Sequence, residues 1–136
     1  MAKKKEYSKF SKAQVSSEFF IFIGLAFLAA IAFEIAALDQ LRDFRMQKES
    51  DAVKDLALKL QREILLAASV EDGYVREFRI PAQLDNNINY TITTINFTLT
   101  VESKNSVYTA SIPNSMGNLS IGANRINKTG GVIYIN

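Results

Sequence analysis

The chain has 136 residues, 48% of them hydrophobic, a net charge of +2, and neither Cys nor His. That length holds an anchor and one small core but hardly two cores. The absence of Cys removes disulfides and thiol chemistry, and the absence of His removes the usual general base and the commonest metal ligand, so composition points away from catalysis.

Met1 to Ala13, MAKKKEYSKFSKA, carries five Lys against the single Glu6. Of the sixteen basic and fourteen acidic residues, eleven and thirteen remain beyond it, so the positive charge belongs to this leader alone. A nucleic-acid-binding domain would carry its Lys/Arg patch on the folded part, and no nucleic acid is expected as a partner. The leader is short, charged and without apolar periodicity, as a non-structural targeting segment should be. The positive-inside rule places it on the cytoplasmic side of a membrane.

From Phe19 to Leu38 the chain is apolar but for Glu34. Twenty helical residues at about 1.5 Å each match a hydrocarbon core of roughly 30 Å, so the segment has membrane-spanning length. Glu18 stands at its edge, where a carboxylate drawn toward the bilayer centre would cost about 2.5 kcal/mol or more. Two cleavage positions compete. The small-residue site Ala30-Ile31-Ala32 would release a secreted domain, but the apolar pattern runs on through Ile35 and Leu38 without the usual break. A cut ahead of the apolar run fits that continuity better.

Lys12-Ala13 followed by Gln14-Val15-Ser16-Ser17-Glu18 and an apolar run resembles the class III signal peptide of archaeal type IV pilins. The resemblance implies cleavage between Ala13 and Gln14 by a prepilin peptidase, making Gln14, Ser16 and Glu18 the first, third and fifth mature residues. Phe22 stands where the family pattern has Leu, and Ala13 where it commonly has Gly. In such filaments the fifth-position Glu is thought to meet the freed N-terminal amine of a neighbouring subunit, here Glu18 toward the amine of Gln14. A plain transmembrane anchor with Glu18 at the positive end of the helix dipole is the alternative.

Beyond Leu38 the pattern turns amphipathic: Leu41, Phe44, Val53, Leu56, Ala57, Leu60 and Ile64 recur at helical intervals. Gly24 is the only glycine between Gln14 and Gly73, and the first proline is Pro81. One helix over 14–70 is expected, its 14–38 part in lipid or a filament core and its 39–70 part laid against a sheet. After Gly73 the period changes to 2. Tyr74-Phe78-Ile80, Ile88-Tyr90-Ile92, Phe97-Leu99-Val101 and Tyr108-Ala110-Ile112 alternate with polar residues and predict successive strands. Leu119 to Asn127, with a bulge at Gly122, and Val132 to Ile135 follow beyond a turn at Met116-Gly117-Asn118. The expected fold class is α+β: a long spine helix and, over 71–136, an antiparallel meander packed on its apolar stripe from Leu41 to Ile64.

Four Asn-x-Ser/Thr sequons fall in the sheet half, at Asn89, Asn96, Asn118 and Asn127, none with a central Pro. Asn96 and Asn118 are expected at turns. Asp39, Asp43, Asp51 and Asp55 recur at multiples of four but are interleaved with Lys and Arg, as on a solvated face rather than in a metal site. No metal, cofactor or catalytic residue is implied. The sequence-level conclusion is a structural subunit of a pilus-like surface filament, its partners being the membrane, a prepilin peptidase and copies of itself or other pilins. A non-polymerising anchored binding module and a minor pilin or pseudopilin are the rivals.

Overall fold

A computed structural model describes the backbone of residues 6–85 and 87–136, with side chains from Ser17 onward, and gives one helix followed by seven strands: an α+β chain. Helix α1 spans Glu6–Ser69. Its interior holds no Pro and one Gly, and Ala, Leu, Lys, Glu and Arg recur throughout, so nothing interrupts the hydrogen-bond ladder. The leader was expected to be non-helical, and its residues 6–13 are helical instead. They contain no helix breaker, so the helix propagates through them at little cost.

The chain divides into two compact units, one ending at Asp43 and one spanning Phe44–Asn136, and α1 contributes to both. In the first, every residue from Ser17 to Asp43 is exposed. In the second, α1 offers Val53, Leu56, Ala57, Leu60, Ile64 and Ala67, all buried, at three- and four-residue spacing to the core. The stripe thus begins twelve residues later than Leu41, where it was expected to start; Leu41 and Phe44 are 50% and 63% exposed. Ser103 and Asn105 reach α1 at Glu49, and among the described residues no buried α1 position precedes Val53.

The strands are β1 Val75–Ile80, β2 Tyr90–Ile95, β3 Thr98–Ser103, β4 Val107–Ser111, β5 Ser115–Gly117, β6 Gly122–Thr129 and β7 Val132–Ile135. They form two sheets rather than one meander. The three-stranded sheet β2-β3-β4 is antiparallel with consecutive neighbours. The four-stranded sheet has the order β1-β6-β7-β5, and β5 runs parallel to β7. Pro81 ends β1, whose partner is β6, with Val75 opposite Asn127 and Ile80 opposite Gly122. Alternation identifies a strand and its inner face but not its neighbour, which is why the expected meander covers only β2 to β4.

Inner-facing residues of both sheets join the α1 stripe in one core containing Ile80, Tyr90, Leu99, Val101, Ile112, Leu119, Ile126, Ile133 and Ile135. Burial of each Ile or Leu side chain contributes about 1.5–3 kcal/mol. A fragment of residues 39–136 retains Val53, Leu56, Ala57, Leu60, Ile64 and Ala67 and is expected to fold, whereas one starting at Gly73 loses all six and is expected to aggregate. Circular dichroism and size-exclusion chromatography of the two fragments test this; a monomeric, cooperatively folding 73–136 fragment would overturn the helix-on-sheet core.

Candidate functional site

The first chemically distinctive surface is the apolar part of α1. Phe19, Phe20, Phe22, Phe27, Leu28 and Phe33 are each between 61% and 77% exposed. The stretch passes the length and composition required to cross a membrane, and none of it is buried within the chain. Exposure on this scale is unfavourable in water, since each large side chain left uncovered forgoes its burial energy. Small residues Gly24, Ala26, Ala29, Ala30 and Ala32 lie along the same segment. A Cβ built on Gly24 would meet nothing within 4 Å, so no packing inside the chain requires that glycine.

Of the residues in the N-terminal motif, Ala13, Gln14 and Ser16 lie in the helical backbone of α1, and their side chains fall outside the described residues. Glu18 is exposed, and both Ser17 and Glu18 are engaged in interactions. Asp39, Asp43, Asp51 and Asp55 are all exposed, and no group of three potential metal ligands occurs among the described residues.

The sequons separate by environment. Asn89, Asn96 and Asn118 are exposed, and Asn127 is half-buried in β6. Asn96 occupies the first position of the two-residue turn closed by the Ile95–Thr98 pair, with φ 53°. Asn tolerates such a left-handed conformation better than most residues, and a positive φ at this position suits hairpin twist. Asn118 follows β5, with its amide turned so that Nδ2 donates to Gly117 O at 3.1 Å and Thr94 O at 3.2 Å. The Oδ1 of Asn89 accepts from Gln83 Nε2 at 3.0 Å. Along the outer face of the three-stranded sheet, Thr93, Thr100 and Thr109 stand in one row, with Thr91 and Thr98 in the flanking rows.

Several residues that shape the sheet-bearing unit, Phe44–Asn136, were not singled out from sequence. Lys128 Nζ donates to Ala68 O at 2.8 Å and Val70 O at 2.7 Å, capping a helix with no basic residue in its own last turn. A lone Lys in an alternating strand carries no local sign of this role. Buried Asn124 holds the 120–122 loop: its Oδ1 accepts from Ser120 N, and its Nδ2 donates to Ser120 O and Gly122 O. Gly117 was expected at a turn but lies at the end of β5, with φ 101°, against the backbone of Ile135. Gly122 opens β6 opposite Ile80 rather than forming a bulge.

Glu49 joins α1 to the β3–β4 connection. Its carboxylate accepts from Ser103 Oγ at 2.6 Å and from Asn105 N and Nδ2 at 3.3 and 2.9 Å. The Ser103 hydroxyl, followed by the Asn105 side chain, holds its pKa below the ordinary 4.5. A carboxyl lowered on folding stabilises the fold fully above its unfolded pKa and loses that contribution as pH falls through the folded value. Amide hydrogen exchange at Asn105 is therefore expected to be slow at neutral pH and to accelerate, relative to the intrinsic rate, below about pH 4.5. In Glu49→Gln it should be fast at both pH values. Equal protection in the variant and the parent would show that the clip does not hold the loop.

Comparison of the chain with protein-family models, with curated proteins and with solved structures finds no match in any of the three.

Proposed function

We propose that this chain is the structural subunit of a type IV pilus-like surface filament. The observation that carries the reading is a wholly exposed apolar helix segment, Phe19 to Leu38, entered directly through Gln14-Val15-Ser16-Ser17-Glu18 behind a basic leader. Before assembly this segment spans the membrane, with the leader cytoplasmic and the sheet-bearing unit outside. A prepilin peptidase removes residues 1–13, and the freed helices then leave lipid for contact with one another. Without a hydrophobic gain between lipid and bundle, association relies on close packing, which Gly24, Ala26, Ala29, Ala30 and Ala32 favour, and on polar pairing. Glu18 supplies the pairing toward the amine of Gln14 in a neighbouring copy. The head unit forms the outer surface and takes part in attachment.

A second reading is favoured by the row of threonines on the three-stranded sheet: an anchored surface module whose hydroxyl-bearing face, with Glu102 opposite Thr91 at its flank, binds a ligand without polymerisation. The same helix and leader would also serve a minor pilin or pseudopilin.

Intact mass of the protein recovered from its cells tests the reading. A mature chain beginning at Gln14 is expected. Loss of residues 1–32 would establish a secreted domain instead, and an uncleaved chain a plain anchor.

A further inference from the structure

The β2–β3 turn is apolar on both sides and uncovered, Ile95 being 61% and Phe97 58% exposed. Between them stands Asn96, exposed, and among the described residues no hydrogen bond engages its side chain. Its sequon is completed by Thr98, the first residue of β3. The other three sequons are tied into the fold. Asn89 is bonded to Gln83, and its successor Tyr90 is buried, with its hydroxyl donating to Pro81 O. The amide of Asn118 faces two backbone carbonyls, and its successor Leu119 is buried. Asn127 lies mid-strand, paired on one side with Val75 and on the other with Tyr134.

We infer that Asn96 carries an N-linked glycan and that the first sugars of this glycan lie over Ile95 and Phe97. The inference rests on the reading that the head unit is outside the cell, where a glycosyl transferase meets it. The reaction needs a sugar activated as a lipid-linked diphosphate. Asn96 Nδ2 bonds to the anomeric carbon, the carbon–oxygen bond to the diphosphate breaks with its electron pair, and the amide proton passes to a base of the transferase. The Thr98 hydroxyl two residues on is the feature a sequon-reading enzyme requires. Once attached, a pyranose ring sets its C–H face on the Phe97 ring and its hydroxyls toward water, removing apolar surface that the chain itself leaves open.

The test uses the full chain extracted from its native cells, with Asn96→Gln, Thr98→Val and, for comparison, Asn89→Gln, Asn118→Gln and Asn127→Gln. Thr98→Val keeps Asn96 and its turn but destroys the sequon. Intact mass should show an increment of whole sugar residues that disappears in both Asn96→Gln and Thr98→Val and persists in the other three. No increment in the parent, or one that survives Thr98→Val, overturns the assignment. In detergent micelles the Thr98→Val chain should sediment as larger species than the parent, and adding Phe97→Ser should reverse this. Unchanged sedimentation, or no reversal, overturns the covering role. Unglycosylated filaments would sink this inference and leave the filament reading standing; a glycosylated chain that forms no filaments would do the opposite.

Discussion

Glu18→Ala is expected to leave membrane insertion and leader removal intact while abolishing or sharply reducing filaments. Removal of a charge at the membrane edge makes insertion easier, so a missing filament could not be traced to failed targeting. In the proposed bundle the same change leaves the amine of Gln14 without its counter-ion in a low-dielectric setting. Deleting one side of a buried pair typically costs about 3–5 kcal/mol, and a polymer incurs that cost at every subunit. Glu18→Asp keeps the charge but shortens its reach by one methylene, so a partial defect is expected. Electron microscopy of surface filaments, alongside a membrane-fraction blot that reports leader removal, decides the matter. Normal filament numbers in the processed Ala variant would remove the assembly role of Glu18 and favour the non-polymerising anchor.

The second large effect is expected at Gly117. A Cβ placed there would lie 1.9 Å from Ile135 O, with φ at 101°, a conformation that side chains rarely adopt. The clash cannot relax without separating β5 from β7, because the close atom is backbone, and the φ strain adds to it. Gly117→Ala in the 39–136 fragment should lose at least ~3 kcal/mol. For a domain of this size such a loss lowers Tm by roughly 12–24 °C. Gly122→Ala separates the two causes: its φ is 107°, but nothing lies within 4 Å of its Cβ position. Its loss should be smaller, about 1–2 kcal/mol from backbone strain alone. Equal melting temperatures for the two variants would show that β5 does not approach β7 closely.

Much of this architecture is already determined by local pattern. The run from Phe19 to Leu38 reads as a long apolar helix, because twenty residues without Pro, rich in Ala, Leu, Ile and Phe, can satisfy their whole backbone within one helix. Spacing of three and four marks Val53 to Ile64 as a core stripe, and the change of period at Gly73 marks the passage to strands. Six of the seven strands follow from alternation bounded by Gly, Pro and Asn. The turn at Asn96 is equally local, since it depends on one residue's tolerance of positive φ.

What only the tertiary structure decides are the pairings between distant residues. β1 finds β6 rather than β2, and β5 joins β7 in parallel, because both sheets must share the face of one helix; no local periodicity encodes that choice. Lys128 caps α1 from 60 residues away, and Glu49 clips a loop 54 residues further along the chain. An isolated Lys or Glu reads the same in sequence whether it points to solvent or to a helix end. The amphipathic pattern likewise conceals a change of phase: Phe44 and Val53 are separated by about two and a half helical turns and Leu41 and Val53 by about three and a third, so neither Leu41 nor Phe44 shares the buried face, and both are exposed. Side-chain type and spacing fix which face is apolar, while the partner of that face depends on chain segments folded against it from far along the sequence.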